Sequence, residues 1–255
     1  MQCALVTLVF GLVMLLVERL MPGKPLERVA GWYPRAILLN TVQAVVAYVS
    51  TATWDRWFPD LALWHAGGFG FLPDAIIGYV AITFIYYWWH RARHENPFLW
   101  RWLHQIHHSA SRIEVLTSFY KHPIEIFING ILSPAILYLL LGLNAESAGL
   151  AFLMTGIAEL FYHWNVRTPH WLGYLLQRPE SHCIHHQRGR HRNNYSDLPL
   201  WDMLFGTFEN PREQPGACGF GPEIERRLGT MLLGRGAFAQ RASRPMQSAP
   251  TGIGS

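Results

Sequence analysis

Five apolar tracts dominate this chain and leave it few ways to fold: residues 3–17, 37–54, 75–89, 124–143 and 145–162. At about 1.5 Å of rise per residue, tracts of this length make roughly 22–30 Å of helix, close to the hydrocarbon thickness of a bilayer. A helix buried in a soluble domain usually keeps a polar face, and most of these tracts have none. Only Asn144 separates the last two, which predicts a tight helical hairpin. The fourth and fifth tracts nonetheless carry Glu125, Glu146 and Glu159. Composition agrees with a membrane chain: half the 255 residues are hydrophobic and 15% are charged, against about 25% in soluble domains. Disorder and a heavily solvated globule are excluded. Cys3, Cys183 and Cys218 are too few and too scattered for a disulfide framework.

The net charge of +4 suits either a nucleic acid or a membrane surface, and its placement decides between them. If each tract crosses once from an outside N-terminus, residues 18–36 hold four Lys and Arg and residues 90–123 hold five, all inside. Residues 55–74, outside, hold only Arg56. This asymmetry follows the positive-inside rule, so the positive charge records topology and no nucleic-acid partner is expected. The first tract lacks a basic leading region and a small-residue cleavage site, which predicts a retained helix. Residues 228–233 form a candidate surface helix. The polar tail after about residue 238 is expected to be disordered.

Eight histidines fall into three clusters. His90 and His94 form His-x3-His at the inner end of the third tract. His104, His107 and His108 form His-x2-His-His, and His182, His185 and His186 repeat that pattern. On a helix, residues three and four apart share a face, so each cluster can aim its rings at one point. Imidazole is the commonest neutral metal ligand near pH 7. Eight rings exceed what one tetrahedral ion needs, and two metals with open positions fit better. All eight lie on the side that charge alone assigns to the cytoplasm. The chain has no His-Glu-x-x-His, Cys-x-x-Cys or Glu-x-x-His. Zincin, zinc-ribbon, iron–sulfur and ferritin-like sites are therefore disfavoured. Spacing does not choose among iron, copper and zinc.

The clusters and their surroundings resemble the fatty acid hydroxylase / sterol desaturase superfamily. Residues 99–109 (LWRWLHQIHHS), 121–125 (KHPIE), 161–166 (FYHWNV), 178–186 (RPESHCIHH) and 193–208 (NNYSDLPLWDMLFGTF) are each similar to a family element. The resemblance implies an enzyme with two iron ions, zinc being possible in an isolated preparation. It implies that O2 is used to hydroxylate or desaturate a lipid, with electrons from a separate protein. It implies His90, His94, His104, His107, His108, His182, His185 and His186 as ligands, with His163 as a ninth. His122 is a possible further ligand or outer partner, or simply a helix-start residue before Pro123. Asn165 and Asp202 are candidates to orient ligand rings, Asp202 alternatively to hold nearby backbone. His170 and His191 have no family match and are expected in solvated loops; His65 lies on the far side. Ser196 stands where the family has glycine, which predicts a slightly altered turn.

The expected architecture is all-α, with four or five transmembrane helices and a cytoplasmic histidine-rich helical cap. The divisions are membrane helices over 1–74, a catalytic region over 75–210 and a cytoplasmic C-terminal segment over 211–255. Trp88 and Trp89, just before His90, are candidates to line a lipid route, or to sit in an interfacial aromatic belt. The expected location is the cell inner membrane. Two rival functions are a histidine-rich metal transporter or sensor and an inert scaffold of the same family.

Overall fold

A computed structural model describes residues 2–237, and the expected disorder after residue 238 lies outside that range. All five apolar tracts are helical. They form α1 (Gln2–Leu20), α2 (Trp32–Ala52), α3 (Phe71–Glu95), α5 (Pro123–Pro134) and α6 (Ala145–His163). A wider turn, Ala135–Leu140, prolongs α5. Shorter helices lie between and after them: α4 (Gln105–Ser109), α7 (Pro179–His185) and α8 (Pro199–Leu204). No strand forms among the described residues. Three stretches are long and apolar enough to cross a membrane: Trp32–Leu61, Phe71–Glu95 and Pro123–Leu140.

The helices begin where local chemistry can satisfy their free N–H groups. The Asn144 side chain accepts from Ser147 N–H at 2.9 Å and starts α6, which makes the expected tight hairpin. Before it, Gly142 adopts φ +62°, and a Cβ there would stand 2.1 Å from the Trp64 carbonyl oxygen. Only glycine serves at that turn. His122 starts α5: its Nδ1 accepts from Ile124 N–H at 3.0 Å, and Pro123 follows where a missing N–H costs nothing.

α6 packs between α1 and α3, and α2 packs on α5. One core joins Tyr79 and Ile82 of α3 to Leu137, Ala148 and Ala151. A second, with Trp32, Ile106, Tyr120 and Met231, supports the underside of α4. The candidate surface helix forms over Leu228–Leu232. Its Leu228 and Met231 are buried in this second core beneath α4, while Leu233 just after it is exposed. At the same end of the molecule, Lys24 reaches from the α1–α2 connection to the thiols of Cys183 and Cys218, at 3.6 and 3.5 Å.

Candidate metal centre and its cavity

Four elements bring histidines to one end of the bundle. α3 ends with His90 and His94, one turn apart. A wide turn, Trp100–His104, leads into α4 with His107 and His108. His163 closes α6. α7 carries His182 and His185, and His186 follows directly. Their ring nitrogens fall into two groups, in each of which all candidate ligand atoms lie within 4.8 Å of one another. One group is His90, His94, His104, His108 and His185; the other is His107, His163, His182 and His186. The stacked rings of His108 and His186, 4.1 Å apart, join them. Every histidine singled out as a ligand by cluster or resemblance is thus in one of the two groups. His90 and His94 are half-buried, and the other seven are buried.

The tautomers are set by what each Nδ1 meets. Those of His90, His94 and His185 donate to the carbonyls of Tyr195 (2.7 Å), His191 (2.8 Å) and Asn193 (2.6 Å). His163 Nδ1 donates to the Glu159 carbonyl at 2.8 Å, and His104 Nδ1 to the Glu125 carboxylate at 3.1 Å. With the Nδ1 proton engaged, each neutral ring turns a bare Nε2 lone pair inward. The Nε2 atoms of His94, His108 and His185 are buried with no hydrogen-bond partner. Other Nε2 atoms crowd one another: His90 and His104 at 2.9 Å, His182 and His163 at 3.0 Å, His186 and His182 at 3.1 Å, His163 and His107 at 3.3 Å. Around one ion with bonds of about 2.1 Å, neighbouring ligands stand about 3.0 Å apart in an octahedron and about 3.4 Å in a tetrahedron. The observed spacings are those of ligands sharing an ion, so these residues fit two metals.

Burial pushes the imidazoles outside the apolar helices down from their ordinary range. His104, His107, His108, His182 and His186 fall well below it, and His185 falls to about 3. Desolvation is the main cause, with repulsion from neighbouring rings adding to it. Neutral imidazole is the form that binds metal.

The loop after α7 supplies the three carbonyls. His191, Asn193 and Asn194 all take positive φ (46°, 69° and 51°), a conformation Asn tolerates better than most residues. That turn folds His191 back so that its Nδ1 stands 3.1 Å from Nδ1 of His108. The solvated-loop expectation for His191 is therefore corrected. His170 is half-buried, with Nε2 3.1 Å from the Asn210 carbonyl, away from both groups. Asp202 holds the loop, accepting from Tyr195 N–H (2.8 Å), Ser196 N–H (3.0 Å) and Thr207 Oγ (2.7 Å). It touches no imidazole and serves the backbone alternative. Ser196 is not among the positive-φ residues, so the absence of glycine costs nothing, and its hydroxyl donates to the Thr83 carbonyl.

Four other candidates fall outside the centre. His122 has both ring nitrogens occupied, Nδ1 as a helix cap and Nε2 by the Leu232 carbonyl at 3.2 Å. It belongs to neither group. Asn165 pairs through its amide with the backbone of Lys24, accepting at 3.1 Å and donating at 2.9 Å, and makes no hydrogen bond to a ring. Trp88 is 42% exposed on the outer face, against Phe205, and Trp89 donates to Asn129 Oδ1 at 3.1 Å.

A cavity of about 830 Å³ runs among α1, α2, α3, α5 and α6 to the histidines. His90 and His104 of one group and His107 and His182 of the other line its end. Neither tryptophan lines it. From α3 the wall is made by Ile82, Tyr86, His90 and Arg93. These follow one another by three or four residues, so they share a face, and Trp88 and Trp89 are turned off it. Helical phase relative to His90 was the signal that would have found Tyr86. Glu125 was also missed as a site residue. It holds His104 and pairs with Arg93, and its signal was a carboxylate inside an apolar tract.

Apolar helices ending in two buried histidine nests define a class: an integral membrane protein with sites able to hold metal ions. The chain belongs to the fatty acid hydroxylase family, whose pattern it matches over residues 75–207. It is 30% identical to human alkylglycerol monooxygenase over 151 residues, 53% of this chain and 31% of that one. It is 34% identical to ornithine lipid hydroxylase OlsE of Rhizobium tropici over 143 residues, 54% of this chain and 42% of that one. With sphinganine C4-monooxygenase 1 of Arabidopsis thaliana it shares 27% identity over 179 residues, 68% of each chain. The chain spans about a third of the human relative's length. No solved structure matches it.

Proposed function

We propose that this protein oxidises a lipid at a histidine-held pair of iron ions, using dioxygen to hydroxylate or desaturate an acyl chain, sterol or related hydrophobic substrate. One observation carries the proposal: the intramembrane cavity touches both histidine groups, so a lipid chain inside it lies against both. The relatives' names, a lipid hydroxylase and two lipid monooxygenases, support it. Iron, when bound, supplies dioxygen activation and attack on an unactivated C–H bond, which side chains cannot perform.

This chain's residues supply the rest. The nine imidazoles of the two groups would hold the metals, and the carbonyls of Glu159, His191, Asn193 and Tyr195, with the Glu125 carboxylate, fix five of the rings. Ile82 and the apolar parts of α1 and α6 hold the substrate chain and keep water out. Electrons come from a separate protein. Transport of metal would need ligands strung along the spans, whereas the histidines gather at one end.

The arrangement in the membrane follows from charge. With one or both of α1 and α6, each 19 residues, the three long apolar stretches give four or five spans of the cell inner membrane, with the histidine end cytoplasmic. Protein purified from iron-replete cells is expected to contain about two iron atoms per chain, one for each histidine group. His107 and His108 belong to different groups, so replacing both with Ala should remove both metals and lipid oxidation together. Full metal content and activity in that variant would overturn the proposal. Lipid profiles of cells with and without the protein would identify the product.

A further inference from the structure

Two thiols and an ammonium meet beside α7. Cys183 stands between the ligands His182 and His185 on that helix but is turned off their face. It packs with Ile113 against Cys218 of the C-terminal segment, and the two thiols hydrogen-bond to one another. Nζ of Lys24 lies 3.6 Å from the Cys183 sulfur and 3.5 Å from that of Cys218, and no carboxylate pairs with it among the described residues. The lysine is set by its backbone. Gly23 N–H donates to the Asn165 carbonyl at 2.7 Å, and a Cβ on Gly23 would stand 2.7 Å from the Val166 carbonyl carbon. The Asn165 amide then brackets Lys24 itself. The cover over Cys218 includes Arg188, which donates to the Cys218 carbonyl at 3.1 Å and pairs with Glu27 at 2.9 Å; both ends of that pair reach solvent.

A thiol is a weak acceptor and offsets little of the cost of taking an ammonium out of water. Packing alone would be better served by apolar side chains, which need no ammonium beside them. Sulfur next to a cation is the more nucleophilic sulfur, and a second cysteine beside it captures the first oxidation product. We propose that Cys183 and Cys218 form a redox site, which hydrogen peroxide converts reversibly to a disulfide while Lys24 holds its ammonium against the attacking sulfur. Cys218 Sγ attacks one peroxide oxygen and the O–O bond breaks; the departing hydroxide takes the thiol proton and leaves as water. Cys183 Sγ then attacks the resulting sulfenic sulfur, and the expelled hydroxide leaves as a second water with the Cys183 proton. The two sulfurs lose two electrons and the peroxide gains them. The new bond ties the C-terminal segment, whose Gly219 N–H donates to the His186 carbonyl at 3.0 Å, to the helix that carries His182 and His185. The site stands whether or not the protein oxidises a lipid.

The test treats full-length, iron-loaded protein in lipid nanodiscs with hydrogen peroxide in small excess. Peptide mass spectrometry without reductant is expected to find residues 183 and 218 cross-linked, with two hydrogens lost, and dithiothreitol should return both thiols. Lys24→Met keeps the stem and removes the charge; it should slow cross-linking about tenfold while iron content, the control for folding, stays unchanged. Lys24→Arg, which keeps the charge, should stay close to the parent rate, a rescue that a merely structural lysine would not predict. Two free thiols after peroxide in the unaltered protein would overturn the redox site, as would oxidation of either sulfur to sulfinic or sulfonic acid with no cross-link. Equal rates in the parent and Lys24→Met would overturn the part given to the lysine. The result in unaltered protein decides the redox site even if a variant misfolds.

Discussion

At the residue scale, His122 and Glu125 stand three apart in KHPIE and do opposite things. The histidine, which as a residue type invites a ligand role, caps α5. The carboxylate, buried and bound to His104 and Arg93, supports the centre. His122→Ala is expected to keep both metals and lower the melting temperature, since losing a helix cap costs about 1 kcal/mol. Metal analysis beside thermal unfolding checks this. Glu125→Gln should weaken metal binding by about 10–100-fold, as losses of a ligand's hydrogen-bond partner do. It should also destabilise the fold, because Arg93 would remain buried without its partner. Titration of the metal-free variant with iron separates the two effects.

At the element scale, the turn after α7 aims three rings with three carbonyls, and Asp202 fixes the turn. Asp202→Ala would leave buried N–H groups unpaired at a cost of about 1–3 kcal/mol. The variant is expected to lose iron to a chelator faster than the parent, and Asp202→Asn should fall between them. The helices themselves were legible, since a run of apolar residues needs no tertiary knowledge. So were the eight clustered histidines, because i, i+3 and i+4 spacing already implies a shared face; His163, alone in its stretch, came only from the family resemblance. The carbonyls were not legible: a backbone acceptor leaves no mark in composition, and only the left-handed turn through Asn193 and Asn194 brings it into place. Nor was the division into five and four, which mixes residues from different helices. Tyr86 against Trp88 was a matter of helical phase, and adjacency to His90 pointed to the wrong face.

For the whole molecule, the buried imidazoles link acidity to integrity. A ring held neutral in the folded state and free to protonate when unfolded stabilises the fold fully above its unfolded pKa. That stability is lost as pH falls below about 6.5 and continues to be lost down to the folded value, about 3 for His185. For His185 alone the loss at pH 5 is about 2 kcal/mol. His104, His107, His108, His182 and His186 shift in the same direction. Between pH 7 and 5 the protein should therefore release metal and lose thermal stability in parallel. Iron retention and melting temperature measured across that range check this, and a flat profile would contradict it.

The chain order of the ligands carries a consequence for how the protein is made. One group needs His185 and the other ends on His186, while their first members are His90 and His107. A nascent chain still lacking α7 can complete neither nest. A metal ion could therefore be held by the full set of ligands only after the hydrophobic segments have entered the bilayer and residue 186 has left the ribosome.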